Sequence, residues 1–185
     1  MTERKRRLFV GIELDNAVRA ACADVSERLL RTGFAARYEA PEKLHVTLAF
    51  LGYVAPAQYD GVVSALREAA PTSQLEVTLD KLGAFPHERR PRIVFVGARE
   101  QGAPFRALAA NVRSAYAALG FDFTNDSVAH VTIARVKAPS RPLPLIEFPP
   151  VALRIGRLTL FESLPDRTNN TSRYERVESI PLSAV

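Results

Sequence analysis

The chain has 185 residues, 47% of them hydrophobic and 24% charged, which fits one globular domain or two small lobes sharing a core. No apolar run approaches the roughly 20 residues that a membrane helix needs, and the single cysteine, Cys22, excludes an internal disulfide. Lysine and arginine outnumber aspartate and glutamate by 25 to 20, a balance that permits a polyanionic partner such as RNA without requiring one.

The basic start (Arg4, Lys5, Arg6, Arg7) looks like the n-region of a signal peptide, but the apolar run after it is short and is broken by Glu13 and Asp15. The expectation is a protein without a signal peptide, held in the reducing cytoplasm. Leu8 to Leu14 (LFVGIEL) reads as a mostly buried strand. Asp15 then offers an N-cap, and Val18, Ala21, Cys22, Val25 and Leu29 recur at helical spacing up to Gly33. On that stripe Cys22 reads as a buried, inert thiol. After Pro41 comes a strand from His45 to Leu51, closed by Gly52. A second helix is expected from Pro56 to about Ala70, stopped by Pro71. Leu75 to Leu79 alternates as a half-exposed strand does, and Ile93 to Val96 is a short buried one. The charged stretch from Phe85 to Arg90, with His87 in it, reads as solvated loop.

The second half repeats this plan. Pro104 sits where a first helical turn accepts proline, and Phe105, Leu108, Val112, Ala115, Tyr116 and Leu119 form a stripe that stops at Gly120. A strand from His130 to Val136 follows, then a proline-rich loop to Pro150. A strand around Leu153 to Phe161, a polar loop from Ser163 to Ser172 and a last strand near Tyr174 to Ile180 complete the pattern. Strand, helix and His-Val-Thr strand thus occur twice, nearly half a chain apart, too far for a solenoid repeat. The expected fold class is α+β: one domain over residues 1–185, bilobal and pseudo-symmetric, with mainly antiparallel sheets, flanking helices and a groove between the lobes.

Residues two apart on a strand share a face. His45 and Thr47 therefore point one way while Val46 and Leu48 anchor the other, and His130, Thr132, Val131 and Ile133 repeat this. If the lobes meet about a pseudo-twofold, two imidazoles and two hydroxyls converge. That set suits in-line attack on a phosphodiester: a neutral histidine takes a proton from water and a protonated one gives a proton to the departing oxygen. Threonine hydroxyls can hold the non-bridging oxygens. A lone His-x-Thr is ordinarily structural, but the chain has three histidines and two of them occupy matching tetrads. Two histidines without carboxylate or thiol neighbours are too few for zinc. There is also no Gly-x-Ser-x-Gly elbow, P-loop or dinucleotide fingerprint. No metal or organic cofactor is expected.

The stretches LFVGIEL at Leu8 to Leu14, LHVTLAFLG at Leu44 to Gly52 and HVTIAR at His130 to Arg135 resemble the two-histidine phosphoesterase superfamily. Within it they are most similar to the bacterial and archaeal RNA 2′,3′-cyclic phosphodiesterases, also called 2′-5′ RNA ligases. The resemblance spans nearly the whole chain. It implies metal-free hydrolysis of an RNA 2′,3′-cyclic phosphate end to a 2′-phosphomonoester, with reversible 2′-5′ ligation as a related activity. It places the catalytic pair on His45 and His130, with His130 as base and His45 as acid, and the phosphate-holding hydroxyls on Thr47 and Thr132. It further implies phosphate binding by Arg135 and base stacking by Phe50.

Strict alternation turns Arg135 away from His130, so a bulge, twist or its long arm must bring it back, whereas Phe50 is expected on the polar face. Phe9 and Tyr174 are further groove residues without an assigned role. The implied partner is an RNA end bearing a cyclic phosphate, bound by a monomer away from membranes. Competing readings keep the site but change the substrate to a small cyclic nucleotide or a 2′-5′ oligonucleotide, or make the protein a non-catalytic binder of RNA ends. The basic runs Arg89 to Arg92 and Arg167 to Arg173 read as solvated turns, with RNA contact as the alternative.

Overall fold

The computed structural model describes residues 4–167 and 171–183. Part of the basic run from Arg167 to Arg173 therefore lies outside the described residues. Strand β1 (Arg6–Glu13) leads into helix α1 (Asn16–Arg31). The Asp15 carboxylate accepts from the Val18 amide at 2.9 Å, which caps the helix. Val18, Cys22, Val25 and Leu29 form its buried stripe. The chain then passes through the two-residue strand β2 (Arg37–Tyr38) into β3 (His45–Val54) and α2 (Tyr59–Ala69). Strands β4 (Leu75–Leu79), β5 (Lys81–Phe85) and β6 (Ile93–Gly97) precede α3 (Ala103–Ala117), which buries Phe105, Leu108, Val112 and Tyr116. The last strands are β7 (His130–Arg135), β8 (Val151–Ile155), β9 (Arg157–Asp166) and β10 (Thr171–Pro181).

Among the described residues the main sheet runs β10-β9-β1-β3-β7-β6-β5, with β2 added to β7, and β4 pairs with β8 in a second, two-stranded sheet. All these strand pairings are antiparallel. The α+β class holds, and the two halves join in one strand path. They meet at the pair Val46↔Val131, where β3 touches β7. Beyond it the strands diverge and β2 takes the edge of β7. The helices cross over: α1 packs against β7 and β8, and α3 against β3 and β4. Each histidine strand is thus backed by the other half's helix. Val46, Leu48, Val131 and Ile133 are all fully buried, each burial contributing about 1.5–3 kcal/mol.

Three strand expectations change. Lys81–Phe85 is a strand that the sequence pattern hides, because Gly83 interrupts its apolar run. A Cβ at Gly83 would lie 2.6 Å from the Phe95 ring, so the glycine admits that ring. The single strand expected around Leu153 to Phe161 splits at Gly156 into β8 and β9, which belong to different sheets. The polar loop expected from Ser163 to Ser172 is largely strand, since β9 continues to Asp166 and β10 begins at Thr171.

Candidate active site

The pair Val46↔Val131 sets the site. Continuing that antiparallel register by one residue puts His45 across from Thr132 and Thr47 across from His130. Directly opposed residues project to the same face. The structure therefore brings all four expected side chains together, and the buried valines hold the other face.

Both rings are oriented by the same local device. His45 Nδ1 lies 2.7 Å from the Lys43 carbonyl, and His130 Nδ1 lies 2.9 Å from the Val128 carbonyl. A carbonyl only accepts, so each Nδ1 carries the proton and each neutral ring presents an unprotonated Nε2. His45 Nε2 is 3.1 Å from the Thr47 hydroxyl.

Aromatic walls enclose both imidazoles. His45 lies 4.9 Å from the Phe9 ring and 5.0 Å from Tyr174, edge to face. His130 lies 5.2 Å from Phe85 and 5.4 Å from Phe95. Phe9 and Tyr174 thus line the site. Phe85 and Phe95 were missed by sequence reasoning because Phe85 looked like a loop residue and Phe95 like ordinary core. The glycine opposite Phe95 is the signal that marks its ring as accommodated. Burial among these rings pushes both histidines below their usual pKa, the backbone hydrogen bonds oppose the fall, and the Arg135 charge adds to it. Glu39 acts on His45 in the opposite direction, favouring its protonated form.

Phe50 and Arg135 reach the cleft by a shared irregularity. The register steps from Gly11↔Thr47 to Val10↔Ala49, and from Phe95↔Thr132 to Val94↔Ala134. Leu48 and Ile133 are therefore the extra residues of two matching bulges. Counting strictly by twos turns both Phe50 and Arg135 away from the histidines, so the expected place of Phe50 on the polar face does not follow from alternation and is owed to the bulge at Leu48. Instead the two strands share one pattern, with two consecutive buried residues before an exposed one. Phe50, 48% exposed, lines a cavity of about 950 Å³ together with Thr47, Phe85 and His130. Arg135 donates through Nε to Glu39 at 2.8 Å, and Glu39 also meets Arg37 at 3.4 Å. Glu39 and Arg37 carry no local sequence signal, since a two-residue strand positions them.

The bulge in β3 is held by side chains. Ser127 donates to the Thr47 carbonyl at 3.1 Å and Arg113 to the Leu48 carbonyl at 3.2 Å. Arg113 also reaches the Asn125 carbonyl, which ties the 121–128 wall to the strand. His87 is exposed and its Nδ1 accepts from the Arg90 amide. Cys22 is buried, with its thiol pushed up to about 12 by desolvation. Among the described residues no three His, Cys, Asp or Glu side chains gather as a metal site requires, and no helix is long and apolar enough to cross a membrane.

A doubled antiparallel frame with a histidine tetrad in each half is the architecture of a phosphoesterase class, and the comparisons agree with it. A family model described as LigT like phosphoesterase matches residues 12–95 and again 96–169. An RNA 2′,3′-cyclic phosphodiesterase of Archaeoglobus fulgidus is 34% identical over 131 residues, covering 71% of this chain and 73% of its own. The TT0787 protein of Thermus thermophilus superposes with a TM-score of 0.80 at 26% identity, over 95% of this chain and 97% of its own. E. coli LigT complexed with 3′-AMP gives 0.76 at 25% identity, over 98% and 99%. The chain belongs to the LigT-like phosphoesterase family.

Proposed function

We propose that the chain hydrolyses the 2′,3′-cyclic phosphate at an RNA end to a 2′-phosphomonoester, with His45 and His130 as a metal-independent acid–base pair. The observation that carries this reading is the Val46↔Val131 register, which sets each imidazole across from the other tetrad's threonine. The substrate class is supported by relatives such as the Archaeoglobus fulgidus RNA 2′,3′-cyclic phosphodiesterase.

In this reading a water molecule lies beside His130 Nε2, which takes its proton as the water oxygen bonds to phosphorus. The phosphorus–O3′ bond breaks, and protonated His45 gives its Nε2 proton to O3′. The products are a 2′-phosphate and a free 3′-hydroxyl. Glu39 supports His45 as the acid, because its charge favours the imidazolium at His45. In the free site with neutral His45, the Thr47 hydroxyl donates to Nε2. Once His45 is protonated, that hydroxyl is released to donate to a non-bridging oxygen, and Thr132 does the same from the other strand. Arg135 offsets phosphate charge at the His45 end. The same step with an RNA 5′-hydroxyl in place of water would form a bond from that oxygen to phosphorus as the phosphorus–O3′ bond breaks, giving a 2′-5′ linkage and a free 3′-hydroxyl.

The test is incubation of RNA ending in a 2′,3′-cyclic phosphate with EDTA present. The expected product is the 2′-phosphate. Absence of hydrolysis, or restoration only by a divalent metal, overturns the reading. Salt-sensitive binding without product would identify a non-catalytic binder instead.

A further inference from the structure

Arg7 has no part in the chemistry above, yet its guanidinium packs on Phe50, which lines the cleft. Its neighbours Arg4 and Arg6 are both neutralised by Glu162, at 2.8 and 2.7 Å. Arg7 instead meets neutral groups. It donates to the Ser163 hydroxyl at 3.3 Å, and its guanidinium lies 4.9 Å from the centre of the Phe50 ring. Among the described residues no carboxylate is within ion-pair range of Arg7. A half-buried guanidinium without a counter-charge, held by an aromatic face beside the site, is ready to take an anion. Its field also reaches the Tyr174 hydroxyl, whose pKa burial raises and Arg7 lowers.

Ribonucleotide stereochemistry limits what that anion is. The base at C1′ and the C5′ arm at C4′ leave one face of the ribose, and the 2′ and 3′ oxygens leave the other. With the cyclic phosphate between the histidines and the base against Phe50, the 5′-phosphate of the same nucleotide emerges on the base side. Arg7, whose guanidinium lies against the Phe50 ring, is the cation next to that base position.

We infer that Arg7, stacked on Phe50 and anchored to Ser163, is a subsite for the 5′-phosphate of the nucleotide that bears the cyclic end. This deepens the proposed function and rests on it. The subsite distinguishes an RNA strand, which always carries that phosphate, from a nucleoside 2′,3′-cyclic phosphate with a 5′-hydroxyl.

The decisive substrates are adenosine 2′,3′-cyclic phosphate with and without a 5′-phosphate. With wild-type protein the 5′-phosphorylated compound should show a KM about tenfold lower, the size expected of one charge-assisted hydrogen bond. Arg7→Gln should bring the ratio of the two KM values close to one, and Arg7→Lys should keep most of it. A wild-type ratio near one, or a ratio that survives Arg7→Gln, overturns the subsite. Equilibrium binding of adenosine 2′-phosphate and adenosine 2′,5′-bisphosphate repeats the comparison without turnover. If neither cyclic compound is hydrolysed but the bisphosphate still binds about tenfold tighter in an Arg7-dependent way, the proposed reaction fails and the anion subsite stands.

Discussion

The His45 half and the His130 half are alike in backbone and unlike in dressing. Each strand carries the same tetrad, the same bulge after threonine and the same Nδ1 bond to the carbonyl two residues back. Five residues beyond each histidine the halves part, with Phe50 in one and Arg135 in the other. The carboxylate also falls on one side, since Glu39 acts on His45. The symmetric frame brings two proton-transfer groups together. The asymmetric substituents give the cleft a direction, with Phe50 toward His130 and the Glu39-held Arg135 toward His45. A substrate with a flat base on one side and its reacting phosphate on the other fits that direction.

Removing either imidazole breaks the comparison most severely. His45→Ala and His130→Ala should each lower kcat by about 10²- to 10⁴-fold while the circular dichroism spectrum stays that of the wild type. Full activity in either variant would end the two-histidine mechanism. The pair also has a stability signature. Both folded-state pKa values are lowered, so on acidification the unfolded chain takes up protons first. Stability should therefore decline as pH falls through about 6.5. The double variant His45→Gln, His130→Gln should lose that component of the pH dependence, as read from denaturant midpoints on either side of that value.

The next effect separates the two ends. Phe50→Ala should raise KM by roughly tenfold or more, the range for a base stacked on an aromatic ring, with a smaller change in kcat. Arg135→Met should instead lower kcat and kcat/KM together, because a charge on the reacting phosphate matters most in the transition state. If the two variants gave the same split between KM and kcat, the direction assigned to the cleft would be wrong.

The sequence made the frame legible because duplication and strand periodicity are local properties. His45, Thr47, His130 and Thr132 could be placed on shared faces by counting. The bulges at Leu48 and Ile133 could not, since both residues are ordinary strand formers and the irregularity shows only against a partner strand. Gly83 hid β5 for a related reason: its purpose is the Phe95 ring, which arrives from another strand. Glu39 and Arg37 depend on β2, whose two residues are too few to show any period. What escaped the sequence is what one strand does to another.

Glu39 provides the finest test of that dependence. Its carboxylate holds Arg135 and favours the charged form of His45, and among the described residues no corresponding carboxylate acts on His130. In a bell-shaped profile of kcat/KM against pH, the alkaline limb reports loss of the acid's proton and the acidic limb protonation of the base. Glu39→Gln removes the charge that favours imidazolium at His45 and leaves Arg135 less neutralised, and both changes lower the His45 pKa. The alkaline limb should move to lower pH. At His130 only the freed Arg135 charge acts, so the acidic limb should move less and the profile should narrow. An acidic limb that moved while the alkaline limb stayed fixed would exchange the roles of the two histidines.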